Sequence, residues 1–493
     1  MIRNSILLSV LRRVQRRRQI KKNKFLRVAV DIHRTDGKHR WLGYVYYRLG
    51  MYQSAVNQPY QGRNWKLWLA YIVSLAACGE SKKARRLVNK LLKTPLFGRK
   101  QKIALADSLA PFSPVLALAV LDKVPNKPPA LYAALLLRLQ RHTEAQHVLS
   151  LVMHTDWIQH KPELHLLMAN ASLSIPAEQL CAANRFMAAY GLEQLRLKNT
   201  ALPLGAGNLS CYAETAVVDG PLVSILVTAF RSAERIGYAL DSLLQQTYRN
   251  IEIVVMDDAG DDDTGDIVKA IIQTDARVRY VKLPANVGTF AAKNMGIRLA
   301  KGEFITCHDS DDWAHPRKIE LQIQPLLLDL NLVYTTSQWV RVQDDGIYYA
   351  RPVHPLIRLN PASPLFRKKM VLEKMGGWDW VRTGADSEFS ERLKLVFGAK
   401  ASVQIKKPLT FGAHRADSLM TAPETGYDVN GISQARLAYW EAWRAWHIEC
   451  FTRDATPLIN SDGLKPRQFT VPKKLMVSTQ NLKLCQDYID SLE

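Results

Sequence analysis

The spacing of hydrophobic positions changes twice along the chain. From about Trp41 to Tyr190, apolar residues recur every three or four positions, which predicts helices almost throughout. Residues 199–220 break this pattern with glycine, proline and small polar residues, and they predict a linker. From Pro221 onward, short apolar runs alternate with helical patterns, which predicts an α/β domain with a mixed, mainly parallel sheet.

Small residues recur at a nearly regular interval within the helical part. Successive members of a set of alanines lie 29, 33, 28 and 32 residues apart: Ala55, Ala84, Ala117, Ala145 and Ala177. That interval suits a two-helix hairpin in which a small residue lets neighbouring helices approach. The pattern is similar to tetratricopeptide repeats, although their aromatic and proline positions are mostly missing, and a non-repeating helical bundle is the alternative. Either form would offer a surface to a protein partner or an acceptor chain.

These patterns divide the 493 residues into five predicted segments. They are a basic amphipathic segment (1–30), a helical-repeat domain (31–198), a linker (199–220), the α/β domain (221–425) and a C-terminal helical segment and tail (426–493). No apolar run approaches the roughly 20 residues of a membrane-spanning helix. The six cysteines form no CxxC pair, which disfavours a disulfide framework or a zinc site and favours the reducing cytoplasm.

Positive charge is concentrated at the beginning of the chain. The net charge is +22, and the first 27 residues contain ten basic residues and no acidic one. Ile6, Val10 and Val14, with Leu7 and Leu11 beside them, would form one apolar stripe on a cationic helix, which suits an anionic membrane surface. The apolar section is too short for a secretory signal. A nucleic-acid-binding arm and a flexible basic tail are the alternatives.

Two predicted strands end in clusters of acids. "IEIVVMDDAGDDDT" contains Asp257 and Asp258, and "EFITCHDSDD" contains Asp309, Asp311 and Asp312. Ligands of open α/β sheets bind beyond the carboxyl ends of the strands, where both clusters fall. Carboxylates so close together raise each other's pKa unless a cation shares the site. A solvated acidic turn or a helix cap is the alternative.

The order of these motifs closely resembles the family 2 inverting glycosyltransferases, which have the GT-A nucleotide-sugar fold. The resemblance covers roughly residues 221–419. It rests on "VSILVTAF" for the first strand, "IEIVVMDDAGDDDT" where the family usually has DDGSxDxT, "NVGTFAAKNMGI" for NxGxxxARNxGI, and "HDSDD" for the DxD metal motif. A Rossmann-like domain of another family is disfavoured, because no GxGxxG follows the first strand.

The resemblance implies a donor site with a divalent metal. Asp309 and Asp311 would bind Mn²⁺ or Mg²⁺, whose preferred ligands are hard oxygens, and His414 would be a further ligand. The implied donor contacts are Thr228, Asp257, Asp258, Lys293, Asn294, Asp309, Asp312 and Arg415. The alternatives are a helix cap for Asp312, a solvated surface position for Lys293 and a structural role for His414.

Inverting transfer also needs a base that takes the proton of the acceptor hydroxyl. In the family this base is commonly the aspartate of an ED pair that follows a GG(F/W)D turn. "MGGWDWVRTGADSEF" supplies Asp386, with alanine in place of the usual glutamate, and Glu388 is the reserve candidate. Trp378 and Asp379 would contact the acceptor. A helix N-cap is the alternative for Asp386, and a core position is the alternative for Trp378.

The sequence therefore predicts a metal-dependent inverting glycosyltransferase that transfers a sugar from a nucleotide-sugar donor to a glycan or glycolipid. By resemblance its setting is bacterial capsule or lipopolysaccharide assembly, in the cytoplasm and peripherally on the inner face of the cytoplasmic membrane. The QxxRW motif of processive members is missing, which favours distributive transfer or a short polymer. A non-catalytic helical scaffold with a nucleotide-binding domain is the main alternative, and only the net charge favours a nucleic-acid-binding protein.

Three tryptophans follow at three-residue intervals in "YWEAWRAWH": Trp440, Trp443 and Trp446. This spacing lines one side of a helix. It predicts a core seam that packs the C-terminal segment onto the catalytic domain, and a contact with an acceptor or a membrane is the alternative.

Overall fold

The computed structural model describes residues 12, 14–35, 39–60, 64–95, 97–153, 157–173, 175–214, 220–428 and 431–493. Most of the predicted N-terminal apolar stripe, from Ile6 to Leu11, therefore lies outside the described residues. Helix α1 is described over residues 14–21. Its Arg16 is buried and forms an ion pair with Asp31, whereas Val14 is exposed. None of the described helices combines the length and the apolarity needed to cross a bilayer.

Helices dominate the described residues before Tyr190, as predicted. They are α2 (Phe25–His33), α3 (Leu42–Arg48), α4 (Tyr52–Val56), α5 (Trp65–Ala77), α6 (Ser81–Leu91), α7 (Arg99–Leu109), α8 (Pro114–Leu121), α9 (Pro129–Arg138), α10 (His142–Ser150), α11 (Trp157–His160), α12 (Glu163–Ser172) and α13 (Pro176–Ala188). Four of the five regularly spaced alanines are buried, but Ala177 is exposed. The regular spacing therefore identifies buried alanines from α4 to α10 but not in α13. The tetratricopeptide-like repeat itself stays a prediction.

The rest of the chain alternates strands and helices. The strands are β1 (Leu195–Leu197), β2 (Leu209–Cys211), β3 (Val223–Ala229), β4 (Ile251–Asp257), β5 (Val278–Lys282), β6 (Phe304–Asp309), β7 (Trp313–Ala314), β8 (Tyr334–Val342), β9 (Tyr348–Tyr349), β10 (Arg358–Leu359), β11 (Leu365–Arg367), β12 (Ser402–Ala413), β13 (Tyr427–Asp428) and β14 (Gly431–Ile432). The helices are α14 (Ala233–Leu244), α15 (Thr264–Thr274), α16 (Thr289–Leu299), α17 (Lys318–Leu328), α18 (Lys368–Met375), α19 (Ala385–Phe397), α20 (Gln434–Thr452) and α21 (Thr479–Asp490). Strand β2, which lies inside the stretch predicted to be a linker, pairs with β1, which lies at the end of the predicted helical domain.

The main sheet is mixed, as predicted. Its strand order is β5-β4-β3-β6-β11-β8-β12-β7, and β9 and β10 also pair with β8. Strands β5, β4, β3 and β6 are parallel, whereas β11 runs antiparallel to both of its neighbours. The inner parallel strands β3, β4 and β6 are mostly apolar because both of their faces are covered, and β4 is buried at every position.

The register of the parallel strands brings the two acid clusters to one edge of the sheet. Thr228 lies opposite Asp309, and Ala229 lies opposite Asp257. The strands β4, β3 and β6 therefore end at the same level. This edge is where ligands of open α/β sheets bind.

By contacts, the chain divides into two compact units. The helical unit comprises residues up to Lys127 with Ala422–Pro457 and Gln468–Lys474, and the sheet unit comprises Pro128–Thr421, Leu458–Arg467 and Leu475–Glu493. This division cuts through the predicted helical domain (31–198) and shares the C-terminal segment between the units. The predicted domain boundaries stay predictions, because a division by contacts does not show which segments fold independently.

Helix α20 contains the three tryptophans and belongs to the helical unit. Trp443 and Trp446 are buried, and the helix packs against α2 and α4. The tryptophan spacing therefore marks a core seam, as predicted. The Trp446 ring stacks on Phe469, with centroids 5.0 Å apart, and the predicted packing of this seam onto the catalytic domain stays a prediction.

Candidate functional site

The predicted metal-binding acids occupy the turn that follows β6. Asp309 ends the strand, and its side chain is 41% exposed. The side chain of Asp311 is 17% exposed, and Asp312 is buried. The carboxylates thus become more buried from Asp309 to Asp312. Water screens their mutual repulsion least at the buried end of the turn.

Asp311 and Asp312 contact strand β12 and the residues after it. Arg415 Nε donates to Asp311 Oδ2 at 2.9 Å, and Ala413 N donates to Asp312 Oδ1 at 3.0 Å. The second oxygen of Asp312, Oδ2, is buried without a hydrogen-bond partner among the described residues. Burial raises the pKa of both carboxyls, although Arg415 opposes the shift at Asp311. The side chain of Asp312 does not cap α17, so that alternative is wrong.

Two buried residues that the motifs did not identify support this turn. Burial lowers the pKa of His308 well below its ordinary value, so its ring is neutral. Lys318 Nζ donates to His308 Nδ1 at 3.2 Å, and His308 Nε2 donates to the carbonyl oxygen of Asp312 at 3.1 Å. Burial lowers the pKa of Lys318 to about 8, although Asp312 favours its charged form. The only sequence signal was a polar residue inside an otherwise apolar strand.

Asp258 holds the loop that leads into α16. Its carboxylate accepts hydrogen bonds from Val287 N at 2.6 Å and Gly288 N at 2.7 Å. Gly288 has a φ of +83°, and a Cβ at this position would lie 2.4 Å from Arg382 Cα, so the loop requires glycine there. Burial raises the pKa of Asp258 to about 6, against the effect of the two N–H donors. Its predicted contact with the nucleotide stays a prediction.

Asp257 and Thr228 lie beside this loop and also have partners within the protein. Asp257 accepts from Gly260 N at 2.8 Å and from Tyr280 Oη at 2.5 Å. The hydroxyl oxygens of Thr228 and Thr289 are 2.6 Å apart. These contacts order the edge of the sheet, and they do not test the predicted contacts of Asp257 and Thr228 with the base and ribose of the nucleotide.

Lys293 is buried rather than solvated, which corrects the surface alternative. Its Nζ lies 3.7 Å from Asp309 Oδ1. Burial lowers the pKa of Lys293, but Cys307, Asp309 and Asp386 outweigh that effect, so the net shift is upward. Because burial also raises the pKa of the Cys307 thiol to about 11, the two carboxylates are what stabilise the ammonium at neutral pH.

Asn294 links α16 to the GGWD turn. Its Nδ2 donates to the carbonyl oxygen of Trp378 at 2.8 Å, and its Oδ1 accepts from Trp378 N at 2.9 Å. Both halves of the amide are thus committed to one residue of the turn. Asn294 therefore positions the turn in this structure, and its predicted donor contact stays a prediction.

Asp386 lies in the first turn of α19 and lines a pocket together with Lys293, Cys307 and Trp378. Its cavity volume is about 10 Å³, which is room for about one water molecule. The N-cap position of α19 is Gly384, so Asp386 is not the N-cap. Its Oδ1 accepts a local hydrogen bond from Ser387 N at 2.8 Å. An acceptor hydroxyl in this pocket could reach the carboxylate.

The reserve candidate, Glu388, has a different environment. Its side chain and that of Arg392 are both 0% exposed, and the two form a bidentate ion pair at 2.7 and 2.8 Å. Arg392 also donates to the carbonyl oxygens of Met375 and Gly377. This pair holds the GGWD turn against α19, and it leaves Glu388 out of reach of an acceptor.

Trp378 and Asp379 are buried as well. The Trp378 ring stacks on Phe389 with centroids 4.6 Å apart. Asp379 forms an ion pair with Arg467. This packing favours the core alternative for Trp378, and the acceptor contacts of both residues stay predictions.

The His414 ring stacks on Tyr349, with centroids 3.6 Å apart and an interplanar angle of 7°. Burial lowers its pKa to about 3, so the ring is neutral, and its buried Nδ1 has no partner among the described residues. Within the same described part of the chain, no three His, Cys, Asp or Glu side chains form a group that could hold a metal by themselves. A metal at this turn would therefore need ligands from the donor.

Comparisons with known proteins agree on one family. Residues 224–379 match the family model "Glycosyl transferase family 2". Glycosyltransferase GlyG of Streptococcus pneumoniae is 40% identical over 128 residues, which are 26% of this chain and 42% of that protein. UDP-Glc:alpha-D-GlcNAc-diphosphoundecaprenol beta-1,3-glucosyltransferase WfaP of Escherichia coli is 40% identical over 102 residues, 21% of this chain and 40% of that protein. The chain thus spans less than half the length of either relative.

Among solved structures, S. aureus TarS 1–349 in complex with UDP-GlcNAc is similar to this chain. The similarity has a TM-score of 0.35 and 18% sequence identity, and it covers 47% of this chain and 74% of that one.

Proposed function

Because residues 224–379 match the glycosyltransferase family 2 model, we propose that this chain transfers a sugar from a nucleotide-sugar donor to a glycan or glycolipid acceptor with inversion. One observation carries the proposal. The acidic turn of Asp309, Asp311 and Asp312 lies where the parallel strands end, beside a pocket lined by Asp386. The two together provide a place for a diphosphate and a base for an acceptor.

A divalent cation fits the acidic turn. Mg²⁺ and Mn²⁺ prefer carboxylate oxygens, and beside a phosphate they need only one or two protein carboxylates. Asp309 and Asp311 would hold the ion and the donor would supply the remaining ligands, whereas His414 would join them only after a rearrangement, because the three described side chains form no such group here. The buried Oδ2 of Asp312, which has no hydrogen-bond partner among the described residues, leaves one carboxylate oxygen of the turn unsatisfied. When bound, such an ion supplies Lewis-acid neutralisation of the departing diphosphate.

Residues of the chain itself account for the rest of the transfer. The Asp386 carboxylate accepts the proton of the acceptor hydroxyl, whose oxygen forms the new bond to the anomeric carbon. The bond between that carbon and the diphosphate breaks, and its electron pair leaves with the nucleoside diphosphate. Lys293, whose Nζ lies close to Asp309, adds positive charge near the leaving group. Arg415 moves its hydrogen bond from the Asp311 carboxylate to a phosphate oxygen of the donor.

The name of the E. coli relative, which acts on a diphosphoundecaprenol-linked sugar, supports bacterial surface polysaccharide assembly as the setting. We place the protein in the cytoplasm, on the inner face of the cytoplasmic membrane, where its basic N-terminal segment would contact anionic lipid. A protein partner would bind through the helices of residues 31–198.

Thermal unfolding of the full chain with nucleoside diphosphates, with and without Mn²⁺, tests the donor site. Only the cognate nucleotide with metal is expected to raise Tm, because ligands stabilise the state that binds them. Asp311→Asn is expected to abolish the shift and donor hydrolysis, whereas Asp266→Asn, which changes a 77%-exposed aspartate, is the matched control. A nucleotide-induced shift without any sugar transfer or hydrolysis would instead support the non-catalytic scaffold.

A further inference from the structure

A second concentration of positive charge lies in the helical unit, apart from the N-terminal segment. Residues 81–106 contain nine basic residues and no acid. Of the net charge of +22, the first 27 residues contribute ten and residues 81–106 contribute nine, which leaves three for the other 440 residues. The net positive charge of the protein is therefore concentrated in these two segments.

The fold turns these basic residues outward. Helix α6 buries Ala84, Val88 and Leu91, which are at most 5% exposed, and α7 buries Leu105 and Leu109. Both helices pack against α5 through these apolar positions. The basic side chains that remain exposed form what we call the α6–α7 basic surface: Lys82, Lys83, Arg85, Arg86, Lys90, Lys93, Arg99 and Lys100.

Almost none of this charge is neutralised within the described part of the chain. Lys83 pairs with Glu80 at 3.2 Å, and that pair is exposed. Arg99 donates only to the neutral backbone carbonyls of Pro125 and Asn126. The six others have no acidic partner among the described residues. Charges three and four residues apart on a helix lie about 5–6 Å from each other. They are then within the Debye length of about 8 Å at physiological salt and repel each other.

We propose that the α6–α7 basic surface is a docking site for an anionic phospholipid membrane. Charge complementarity argues for a polyanion, since it relieves the repulsion and releases counterions. The chemistry of the surface favours lipid headgroups over single-stranded nucleic acid. No exposed aromatic side chain is interleaved with the basic residues of α6 and α7, so single-stranded bases have no stacking platform. The apolar residues of both helices face the core, so the contact is adsorption without insertion.

The proposal stands independently of the glycosyltransferase activity, because membrane binding is measured without donor or acceptor. The test compares sedimentation of the full chain with vesicles of phosphatidylcholine alone and with added phosphatidylglycerol. The test variant combines Lys82→Gln, Arg86→Gln, Lys90→Gln and Lys93→Gln. Each basic residue near an anionic surface increases the affinity for the membrane roughly fivefold, so four such residues would account for more than about a hundredfold in affinity. Because the N-terminal segment is intact, we expect a loss of affinity of at least tenfold.

A matched variant removes the same net charge elsewhere, from exposed lysines of the sheet unit: Lys369→Gln, Lys374→Gln, Lys400→Gln and Lys406→Gln. It is expected to bind phosphatidylglycerol vesicles within about twofold of wild type, since distant charges are screened. Equal losses in both variants would show a general charge effect and overturn the proposal. Undiminished binding by the α6–α7 variant, or no preference of the wild type for phosphatidylglycerol, would also overturn it.

Two further measurements make the result specific. A random-sequence DNA duplex is titrated with both variants, and loss of duplex binding alone in the α6–α7 variant would assign the surface to nucleic acid instead. Thermal unfolding checks the fold, and the α6–α7 variant is expected to be at least as stable as wild type because repulsion is reduced. A Tm well below wild type would contradict the repulsion on which the argument depends.

Discussion

Replacing Glu388 by glutamine removes the charge of a fully buried carboxylate. Its partner Arg392 is equally buried and donates to both carboxylate oxygens, at 2.7 and 2.8 Å. After the substitution a buried guanidinium keeps its charge without a counter-ion, and breaking such a pair costs about 3–5 kcal/mol. In a unit of roughly 300 residues this cost lowers Tm by roughly 4–8 °C. A structural role in the ion pair thus predicts that Glu388→Gln loses stability. A role of Glu388 as the catalytic base predicts instead that the variant loses turnover and keeps its stability.

Glu391→Gln is the matched control on the same helix. Its carboxylate is 34% exposed and lies 3.5 Å from Lys394, so the same chemical change is expected to cost about 0–1 kcal/mol. Both variants are compared with wild type by differential scanning fluorimetry of the full chain at one scan rate. If Glu388→Gln unfolded like wild type but no longer transferred sugar, the ion pair would not be structural and Glu388 would be the base.

Three other substitutions test the site. Asn294→Ala removes both amide hydrogen bonds to Trp378 and is expected to cost about 2–4 kcal/mol in the same assay; no change would mean that the GGWD turn is held by other contacts. The pKa of Asp258 is raised from 3.8 to about 6 in the folded state, so its contribution to stability is present below pH ~4 and lost as the pH rises to ~6. Denaturant unfolding across that range should show a smaller decline in Asp258→Asn than in wild type, because Asp311 and Asp312 keep their own raised pKa values. Asp386→Asn is expected to lower transfer about 10²–10⁴-fold and to leave the nucleotide-induced Tm shift unchanged, and wild-type transfer rates would exclude Asp386 as the base.

The elements of the sheet unit were predictable because their signals are local. A parallel strand covered on both faces needs a continuous apolar run, and β3, β4 and β6 each have one. The edge at which Asp257 and Asp309 meet followed from the same argument, since parallel strands end on one side. The helices before Tyr190 were equally visible from their periodicity.

The packing partners of those helices were not predictable. The tryptophans of α20 identified a buried face, but the spacing of residues on one helix contains no information about which other helix covers it. The exposed Ala177 shows the same limit, because a regular interval in sequence marks a contact only if a neighbouring helix is there. The linker prediction missed β2, since a three-residue strand gives too few positions for a period to show.

The sequence by itself determined which residue types stand at the ligand-binding edge, including the acids after β6 and the aspartate at the start of α19. Tertiary structure decided which of them are committed to the protein. Arg415 is 104 positions from Asp311 along the chain, and Arg467 is 88 positions from Asp379. Burial and hydrogen bonding depend on such distant segments, so only the folded chain distinguishes Asp386, which lines a pocket, from Glu388, two residues away in a sealed ion pair.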